Sequence, residues 1–277
     1  MILKSFSKIN LSLSVNQKLS RSGLHEIQTY FCLINLFDKM IIKKISGKKD
    51  IIKFKGKFAK YVNKRKNSVS ATLSILRKQK VISNYYSVII HKNIPVYAGL
   101  GGGTSNAVSL IKYFNKGRIS GFLLDVYSKT VGSDLKLFFY NLAFLSNLKT
   151  IINLNKRFNL YFLLVYPNVS SSTKHVYSKV KKFTPKFKFR NFSNKNKFIE
   201  HLVKKNNDLQ IIVEKKHPIV KKLIYEIYQK KGCYFSRISG SGSICYGLFK
   251  SKKTAKEALR KLKLKYPKFW FLVTKTI

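Results

Sequence analysis

The pattern of hydrophobic and polar positions predicts an α+β chain in which strands and helices do not strictly alternate. Alternating or short β-branched apolar runs indicate strands at Lys4–Val15, Ile27–Phe37, Tyr86–Ile90, Asn159–Val165, Phe235–Ile238, Ser243–Phe249 and Phe269–Thr274. Apolar residues at helical spacing indicate helices at Asn67–Gln79, Ala107–Phe114, Gly121–Val131, Thr173–Lys181, Asn196–Lys204, Pro218–Lys231 and Ser251–Leu262. A hairpin is predicted between Lys39–Ile45 and Asp50–Phe54, and the basic stretch Lys182–Lys197 is expected to be a loop or linker.

A glycine-rich stretch, Pro95–Ala107, separates the strand at Tyr86–Ile90 from the helix at Ala107–Phe114. Its glycines are followed by two hydroxyl residues and an amide: Gly99, Gly101, Gly102, Gly103, Thr104, Ser105 and Asn106. Because glycine has no Cβ, several N–H groups can converge on an anion, and a helix N-terminus adds a favourable dipole. The stretch is predicted to hold a phosphate chain; the alternative is a flexible turn or a bulge.

This stretch does not match the common phosphate-binding motifs. A Walker loop requires a lysine directly after its last glycine, whereas Thr104 follows Gly103. The Gly-x-Gly-x-x-Gly pattern fails from Gly99, where the last position is Thr104, and from Gly101, where it is Asn106. The glycines therefore follow a different pattern.

The chain is strongly basic, with 56 Lys and Arg against 10 Asp and Glu and a net charge of +46. Such a charge suits nucleic acid or an anionic membrane. However, lysine is spread along the whole chain and Asn, Ile, Phe and Tyr are also abundant. All of these residues have A/T-rich codons, so that genome composition accounts for the pattern without any ligand.

Several classes of protein are excluded by what the pattern lacks. No apolar run approaches the roughly 18 residues of a membrane helix, and the N-terminal residues lack the apolar core of a leader. The three cysteines and the histidines have neither disulfide nor zinc-site spacing. We therefore expect a cytoplasmic protein without a membrane contact, a specific nucleic-acid partner or a dedicated metal site.

Four further polar features admit both a functional and a structural interpretation. Asp134, after a Gly-Ser pair, is either a general base or a cap of the next segment. Lys8 and Asn10 point to one side of the first strand, toward a ligand or toward solvent. His25 follows a turn and either contacts a ligand or stabilises that turn. Ser239–Ser243 is a tight turn or a second phosphate cradle.

Together, these features resemble the GHMP small-molecule kinases. The stretch Pro-x-x-x-Gly-Leu-Gly-Gly-Gly-Thr-Ser-Asn-Ala is similar to the ATP loop of that superfamily. Lys8–Leu11 and Gly23–Glu26 resemble its members that phosphorylate a cytidine-diphosphate-linked methylerythritol in non-mevalonate isoprenoid synthesis. Further matches follow in family order at Thr29, Phe31, Gly132–Asp134, Phe138, Phe139, Pro167, Ser172, Thr173, Val176, Tyr177, Asn207–Leu209 and Arg237–Ser243.

The resemblance implies a two-lobed α+β kinase fold. A ribosomal protein S5 domain 2-like N-terminal lobe would cover residues 1–155, and a ferredoxin-like C-terminal lobe residues 156–277. ATP with Mg²⁺ and the substrate would meet in the cleft between the lobes of a monomer or homodimer. The residues implied to bind ATP are Pro95, Ala98, Gly99, Leu100, Gly101, Gly102, Gly103, Thr104 and Ser105, with Ser105 also touching Mg²⁺.

The resemblance also implies roles for the polar residues. Asp134 would take the proton of the substrate hydroxyl, and Lys8 would stabilise the developing alkoxide and keep Asp134 ionised. His25 would contact the cytosine base, and Tyr177 would stack on it. The other residues implied to bind substrate are Asn10, Asn106 and Ser241.

Three departures from the family pattern put parts of this interpretation in doubt. Leu24 stands where the family usually has a tyrosine, so one stacking surface is lost. Lys136 stands in place of a proline, and Asn147–Thr150 replaces a Gly-x-Gly-Glu segment. We still expect activity, reduced by these changes.

Two alternatives stay open at this point. One is another GHMP kinase, such as a mevalonate or homoserine kinase, which the Gly-Leu-His-Glu turn at 23–26 disfavours. The other is a catalytically degenerate relative whose basic surface binds RNA, although no RNA-binding signature occurs in the sequence.

Overall fold

The computed structural model describes residues 1–20 and 24–277, so the predicted turn at Arg21–Gly23 lies outside the described residues. The strands are β1 Ile2–Asn10, β2 Ser14–Lys18, β3 His25–Ile45, β4 Ile51–Lys55, β5 Tyr85–His91, β6 Leu142–Leu145, β7 Ile151–Asn153, β8 Tyr161–Tyr166, β9 Cys233–Ile238, β10 Cys245–Phe249 and β11 Trp270–Lys275. The α-helices are α1 Ser68–Lys78, α2 Gly102–Phe114, α3 Gly121–Val131, α4 Thr173–Ser178, α5 Lys195–Val203, α6 Gln210–Lys216, α7 Pro218–Tyr228 and α8 Lys252–Lys265. Short 3-10 helices occupy Ala59–Tyr61 and Ser133–Phe139.

The predicted α+β class is confirmed, and each predicted helix is present with ends that differ by a few residues. The largest difference is at α2, which begins at Gly102, inside the glycine run, rather than at Ala107. Within the described ranges, no helix has both the length and the apolar character needed to cross a membrane.

Two compact units divide the chain discontinuously. The first unit comprises Met1–Lys8, Leu36–Val96 and Gly101–Phe139, and the second comprises Ile9–Asn35, Tyr97–Leu100 and Tyr140–Ile277. The division passes through β1, β3 and the glycine stretch. The lobes predicted at 1–155 and 156–277 stay a prediction. They assume one boundary in the chain, whereas each of the two compact units consists of three separate segments.

The first unit combines strands with a helical layer. The later part of β3 pairs antiparallel with β5, and β5 pairs parallel with β4. Helix α1 packs against α2 and α3. The side chain of Asn67 caps α1 by accepting a hydrogen bond from the N–H of Ser70 at 2.9 Å.

The hairpin predicted between Lys39–Ile45 and Asp50–Phe54 is wrong, because β5 lies between these two strands. Asp50 gives the physical reason. Its carboxylate accepts the N–H of Tyr86 at 2.9 Å and pairs with Arg77 at 3.1 Å. These contacts fix the chain at the start of β4 beside β5 rather than beside β3.

The second unit contains an antiparallel sheet of order β11-β8-β10-β9, with α7 against β9 and β10 and α8 against β8 and β11. The predicted β–β–α–β end is thereby confirmed. The same unit pairs the first part of β3 with β2 and β6. The single strand predicted at Lys4–Val15 is wrong: β1 ends at Asn10, and Leu13 forms an isolated bridge with Asn207.

The basic stretch predicted as a loop or linker, Lys182–Lys197, is a loop over most of its length and packs within the second unit. Phe187 and Phe189 lie 5.4 and 5.8 Å from the ring of Phe144. Phe187 also exchanges two 2.9 Å hydrogen bonds with the side-chain amide of Gln28. Aromatic side chains thus supply the packing that aliphatic residues supply elsewhere.

A buried polar cluster centres on Asp38, in the middle of β3. One carboxylate oxygen accepts the N–H groups of Asn93 and Ile94 at 2.8 and 3.0 Å. The other accepts Lys92 Nζ and, at 3.1 Å, Asn106 Nδ2. Burying a carboxylate is unfavourable unless it is paired and hydrogen-bonded. The four donors satisfy this requirement. The strand therefore continues through Asp38, where the sequence predicts two separate strands, Ile27–Phe37 and Lys39–Ile45.

Replacing Lys92 with methionine is expected to lower the free energy of unfolding by about 3–5 kcal/mol, because Asp38 is left as an uncompensated buried charge. Urea denaturation measures this loss. Lys136→Met is the control, since Lys136 pairs with Asp125, whose side chain is 62% exposed, and surface pairs contribute about 1 kcal/mol or less. Equal losses in the two variants would contradict the role given to Asp38.

Candidate functional site

The start of α2 lies in the first unit and is formed by a glycine turn. Gly101, its N-cap residue, has left-handed backbone angles of φ 67° and ψ 27°. Gly101 has no side chain that could cap the helix, and the first N–H groups of an α-helix have no intrahelical acceptor. A left-handed residue followed by helical residues turns successive N–H groups toward one point. This turn is therefore suited to bind phosphate oxygens.

Close packing explains why glycine is needed at this turn. A Cβ on Gly101 would lie 2.6 Å from the ring of Phe138, and one on Gly102 would lie 2.9 Å from the side chain of Ile94. Real Cβ atoms essentially never approach this closely. The two glycines therefore let the helix start sit directly against its neighbours.

Lys8 and Asp134 come together in the first unit, as the resemblance implies. Lys8 Nζ lies 3.5 Å from Asp134 Oδ2; the lysine side chain is buried, whereas that of Asp134 is 41% exposed. Lys8 Cε also lies 3.5 Å from the position that a Cβ on Gly101 would take. An ammonium group, a solvent-accessible carboxylate and the start of α2 are thus near one another.

The 3-10 helix at Ser133–Phe139 holds Asp134 in place. Its Phe138 ring packs on Gly101, and its Phe138 carbonyl accepts a 2.8 Å hydrogen bond from Lys112 Nζ on α2. Burial lowers the pKa of Lys112. Sequence reasoning missed Lys112, because its partner is a backbone carbonyl 26 residues away.

This arrangement can stabilise negative charge and accept a proton in the same place. The Lys8 ammonium and the N–H groups of α2 are positive, and preorganised groups of this kind stabilise charge that develops in a transition state. The half-exposed Asp134 carboxylate can serve as a base toward a bound hydroxyl group. Together these are the components that phosphoryl transfer requires.

Ser105 and Asn106 point into the first unit. Ser105 Oγ donates a 2.6 Å hydrogen bond to the Phe6 carbonyl, and Asn106 joins the cluster around Asp38. Both residues are almost fully buried. Their roles in binding ATP and substrate stay predictions.

Gly99 serves the packing of the second unit. It has φ 79°, and a Cβ here would lie 2.0 Å from the Ser239 carbonyl oxygen. Ser239 Oγ donates to the Gly99 carbonyl at 3.0 Å, and the Ile244 N–H donates to that of Ala98 at 3.2 Å. The two glycine–serine loops found in the sequence therefore contact each other. Ala98 and Leu100 are buried, as is Pro95 in the first unit.

Asn10 and Ser241 also lie in the second unit, where they bond to protein groups. Asn10 Nδ2 donates to Thr29 Oγ1 at 3.0 Å, and its N–H donates to Ser239 Oγ at 3.2 Å. The Ser241 hydroxyl bonds that of Thr173 at 2.9 Å. Substrate binding by Asn10 and Ser241 stays a prediction.

His25 and Tyr177 form an aromatic group in the second unit, as the resemblance implies. Their ring centroids are 5.2 Å apart with an interplanar angle of 40°. The ring of Phe183, which sequence reasoning missed, lies 6.3 Å from His25. Burial, and to a lesser extent the charge of Lys18, lowers the pKa of His25. The imidazole is therefore neutral near pH 7, with one nitrogen donating and one accepting.

The structure shows where the three departures from the family pattern lie and what they contact. Leu24 is 50% exposed. Lys136 Nζ pairs with Asp125 at 2.6 Å on the exposed side of the 3-10 helix. Asn147 closes the turn between β6 and β7 by accepting the N–H groups of Lys149 and Thr150, each at 2.9 Å. The altered segment is thus a self-contained turn with its own hydrogen bonds.

The chemistry of the donor set fits a cation that enters with a phosphate ligand. Among the described residues, no group of three or more His, Cys, Asp or Glu side chains could hold a metal ion. Mg²⁺ commonly binds through one or two carboxylates together with substrate phosphates. Asp134, with its accessible carboxylate beside the start of α2, can supply such a ligand.

Two family models and several known proteins match this chain. The family model "GHMP kinases N terminal domain" matches residues 66–121, and "GHMP kinases C terminal" matches residues 194–268. A 4-diphosphocytidyl-2-C-methyl-D-erythritol kinase of Pelagibacter ubique (strain HTCC1062) is 34% identical, over 99% of this chain and 98% of that protein. The enzyme of the same name from Anaplasma marginale (strain Florida) is 31% identical, over 97% and 94%.

Solved structures share the fold. A crystal structure of 4-(cytidine 5'-diphospho)-2C-methyl-D-erythritol kinase matches with a TM-score of 0.76 at 21% identity, covering 100% of both chains. Homoserine kinase from Cytophaga hutchinsonii matches with a TM-score of 0.69 at 15% identity, covering 100% of this chain and 95% of that one.

Gly101→Ala is expected to lower the free energy of unfolding by more than about 1–2 kcal/mol, the usual cost of a left-handed conformation for a residue with a Cβ. The clash with Phe138 adds to this cost. Gly121→Ala is the matched control, because nothing lies within 4 Å of a Cβ there and alanine favours a helix. Thermal or urea denaturation compares the variants; an unchanged stability in Gly101→Ala would contradict the packing described.

Proposed function

The chain belongs to the 4-diphosphocytidyl-2-C-methyl-D-erythritol kinase family of the GHMP kinases, and from this membership we propose its reaction. It transfers the γ-phosphoryl group of ATP to the 2-hydroxyl of 4-diphosphocytidyl-2-C-methyl-D-erythritol, a step of non-mevalonate isoprenoid synthesis. The observation that carries the proposal is the meeting of Lys8, Asp134 and the start of α2 in one unit. A chain of this family that had lost catalysis would have no need to keep that combination.

Phosphoryl transfer depends mainly on positioning and on stabilising charge. In the proposed reaction, Asp134 takes the proton of the substrate hydroxyl as the oxygen attacks the γ-phosphorus. Lys8 orients the Asp134 carboxylate and stabilises the negative charge that develops on the attacking oxygen. The 3.5 Å distance between Lys8 Nζ and Asp134 Oδ2 supports these paired roles.

The start of α2 binds the phosphates of ATP in this proposal. The first N–H groups after Gly101, which have no acceptor inside the helix, and the positive end of the helix dipole both favour an anion. Mg²⁺, bound together with ATP, would neutralise charge on the phosphate oxygens, and its contact with Ser105 stays a prediction. Lys112 contributes indirectly, because its hydrogen bond fixes the backbone of the 3-10 helix that carries Asp134.

The aromatic group of the second unit binds the cytosine base in this proposal. A neutral imidazole can both donate and accept a hydrogen bond, as the Watson–Crick edge of a pyrimidine requires. The Tyr177 ring offers a face on which the base can stack. The substrate's diphosphate carries negative charge, and Lys18, whose charge acts on His25, is suited to attract it.

The two alternatives drawn from the sequence receive less support. Homoserine and mevalonate kinases match in fold at 13–16% identity, whereas the full-length relatives at 30–34% are named for the cytidine substrate. RNA binding through the basic surface has no counterpart among the names of these relatives.

Purified protein given ATP, Mg²⁺ and 4-diphosphocytidyl-2-C-methyl-D-erythritol is expected to release ADP, measured with a coupled assay. Parallel reactions with homoserine and with mevalonate are expected to stay at background. ADP release with homoserine or mevalonate, and none with the cytidine substrate, would contradict the proposed substrate and indicate another kinase of the superfamily. Background rates with all three would contradict the proposal.

Asp134→Asn is expected to reduce kcat at least about 100-fold, because a positioned general base contributes about 10²–10⁴-fold. The dissociation constant of ATP is expected to change less than about threefold, since the α2 N–H groups remain. Asp125→Asn, on an exposed carboxylate paired with Lys136, is the control and should keep the wild-type kcat. A fully active Asp134→Asn variant would remove Asp134 from the mechanism.

The KM for the cytidine substrate is expected to stay flat from pH 8 to about 6.5 and to rise only at lower pH. The reason is that the lowered pKa keeps His25 neutral to more acidic pH than a free histidine, whose pKa is about 6.5. In Lys18→Met one cause of the lowering is removed, so the rise should begin at a higher pH. Steady-state kinetics across this range measure the onset; a rise beginning above pH 6.5 in the wild type would contradict the neutral histidine.

A further inference from the structure

Phe183 differs from the other phenylalanines of its loop in where it lies. Phe187 and Phe189 pack on Phe144, and Phe192 is buried. Phe183 is instead 46% exposed, and its ring centroid lies 6.3 Å from that of His25 at an interplanar angle of 33°. A large apolar ring is thus left accessible beside the imidazole assigned to the base.

The loop holds Phe183 in place through the next residue, Thr184. The Thr184 N–H donates to the Val15 carbonyl at 2.8 Å, and its carbonyl accepts Asn16 Nδ2 at 2.9 Å. Its hydroxyl donates to Asp208 Oδ2 at 2.7 Å, and the same oxygen accepts the Val15 N–H at 2.8 Å. Three hydrogen bonds therefore fix Thr184, and the fourth joins Asp208 to Val15.

A second anchor follows two residues later. Lys186 Nζ pairs with Glu26 at 2.8 Å, and Glu26 is the immediate neighbour of His25. This ion pair lowers the pKa of Glu26. The loop is thus tied to the strand that carries His25, so Phe183 is presented to the imidazole by a fixed backbone rather than by a free loop.

The packing of the loop does not by itself explain why a fixed backbone holds an aromatic ring exposed to solvent. An exposed aromatic ring on a rigid backbone gains little by burial, yet it offers a stacking surface without further loss of entropy when a ligand binds. A flat base has two faces, and Tyr177 is positioned to cover one. The residue directly before His25 is the aliphatic Leu24, which offers no ring.

We propose that Phe183 is a specificity-determining residue that supplies the second aromatic surface for the cytosine base, in the role that Leu24 cannot fill. The inference rests on the proposed function and deepens it. The hydrogen bonds of Thr184 and Asp208 hold the backbone next to Phe183.

The test compares Phe183→Ala, Phe183→Leu and Phe183→Tyr with the wild type. Stacking of a base on an aromatic side chain is worth about 1–3 kcal/mol by alanine substitution, which corresponds to about five- to 150-fold in affinity. Phe183→Ala and Phe183→Leu are each expected to raise the KM for the cytidine substrate at least about fivefold. Phe183→Tyr, which keeps the ring, should stay within about twofold of the wild type.

Three further measurements separate stacking from a merely structural role. The kcat and the KM for ATP are expected to stay within about twofold in all variants, and the melting temperature is expected to be unchanged. Calorimetric titration with cytidine 5'-diphosphate should show the same loss of affinity as the KM. Phe122→Ala, which removes a 73% exposed ring from α3, is the matched control and should bind like the wild type.

The outcomes distinguish this inference from the proposed function. Wild-type turnover of the cytidine substrate together with an unchanged KM in Phe183→Ala would overturn the role of Phe183 alone. A Phe183→Leu variant that binds as tightly as the wild type would overturn stacking as the source of the affinity. Absence of wild-type turnover would overturn the proposed function, and the inference with it.

Discussion

The buried carboxylate of Asp38 is the interaction on which the phosphate-binding geometry depends. Through Asn93 and Ile94 it holds the segment that leads to the glycine stretch, and through Asn106 it holds the helix that this stretch opens. Ile94 is also the residue against which Gly102 packs. One carboxylate therefore sets the position of both sides of the turn that is suited to bind phosphate, and Lys92 makes its burial tolerable.

Local signals in the sequence predict the helices and most strands, because caps and periodicity act within a few residues. Asn67 caps α1, and Pro218 begins α7, as their residue types indicate. Strand order was not predictable in the same way. The position of β5 beside β4 depends on contacts of Asp50 with residues 27 and 36 positions further along the chain, and no periodicity reports contacts at that range.

The sequence predicts some residues of the candidate site but not the contacts of others. The resemblance to a family predicts that Lys8 and Asp134 act together, and in the structure Lys8 Nζ lies 3.5 Å from Asp134 Oδ2. It could not show that Asn106 faces Asp38, because an amide has the same sequence signature whether it points to a ligand or into the core. Phe183 was hidden for a similar reason: it stands in a basic loop whose phenylalanines have no periodicity, and its exposed ring beside His25 is visible only in the structure.

The close packing around the glycines has a consequence for how related sequences are interpreted. Gly99, Gly101 and Gly102 each face an atom that excludes a Cβ, and these atoms belong to the protein itself. Selection for folding alone would therefore keep these three positions as glycine in a descendant that had ceased to turn over substrate. In such a lineage the pairing of Lys8 with a solvent-accessible Asp134 would be free to drift first, which makes that pair the more informative marker of a working enzyme.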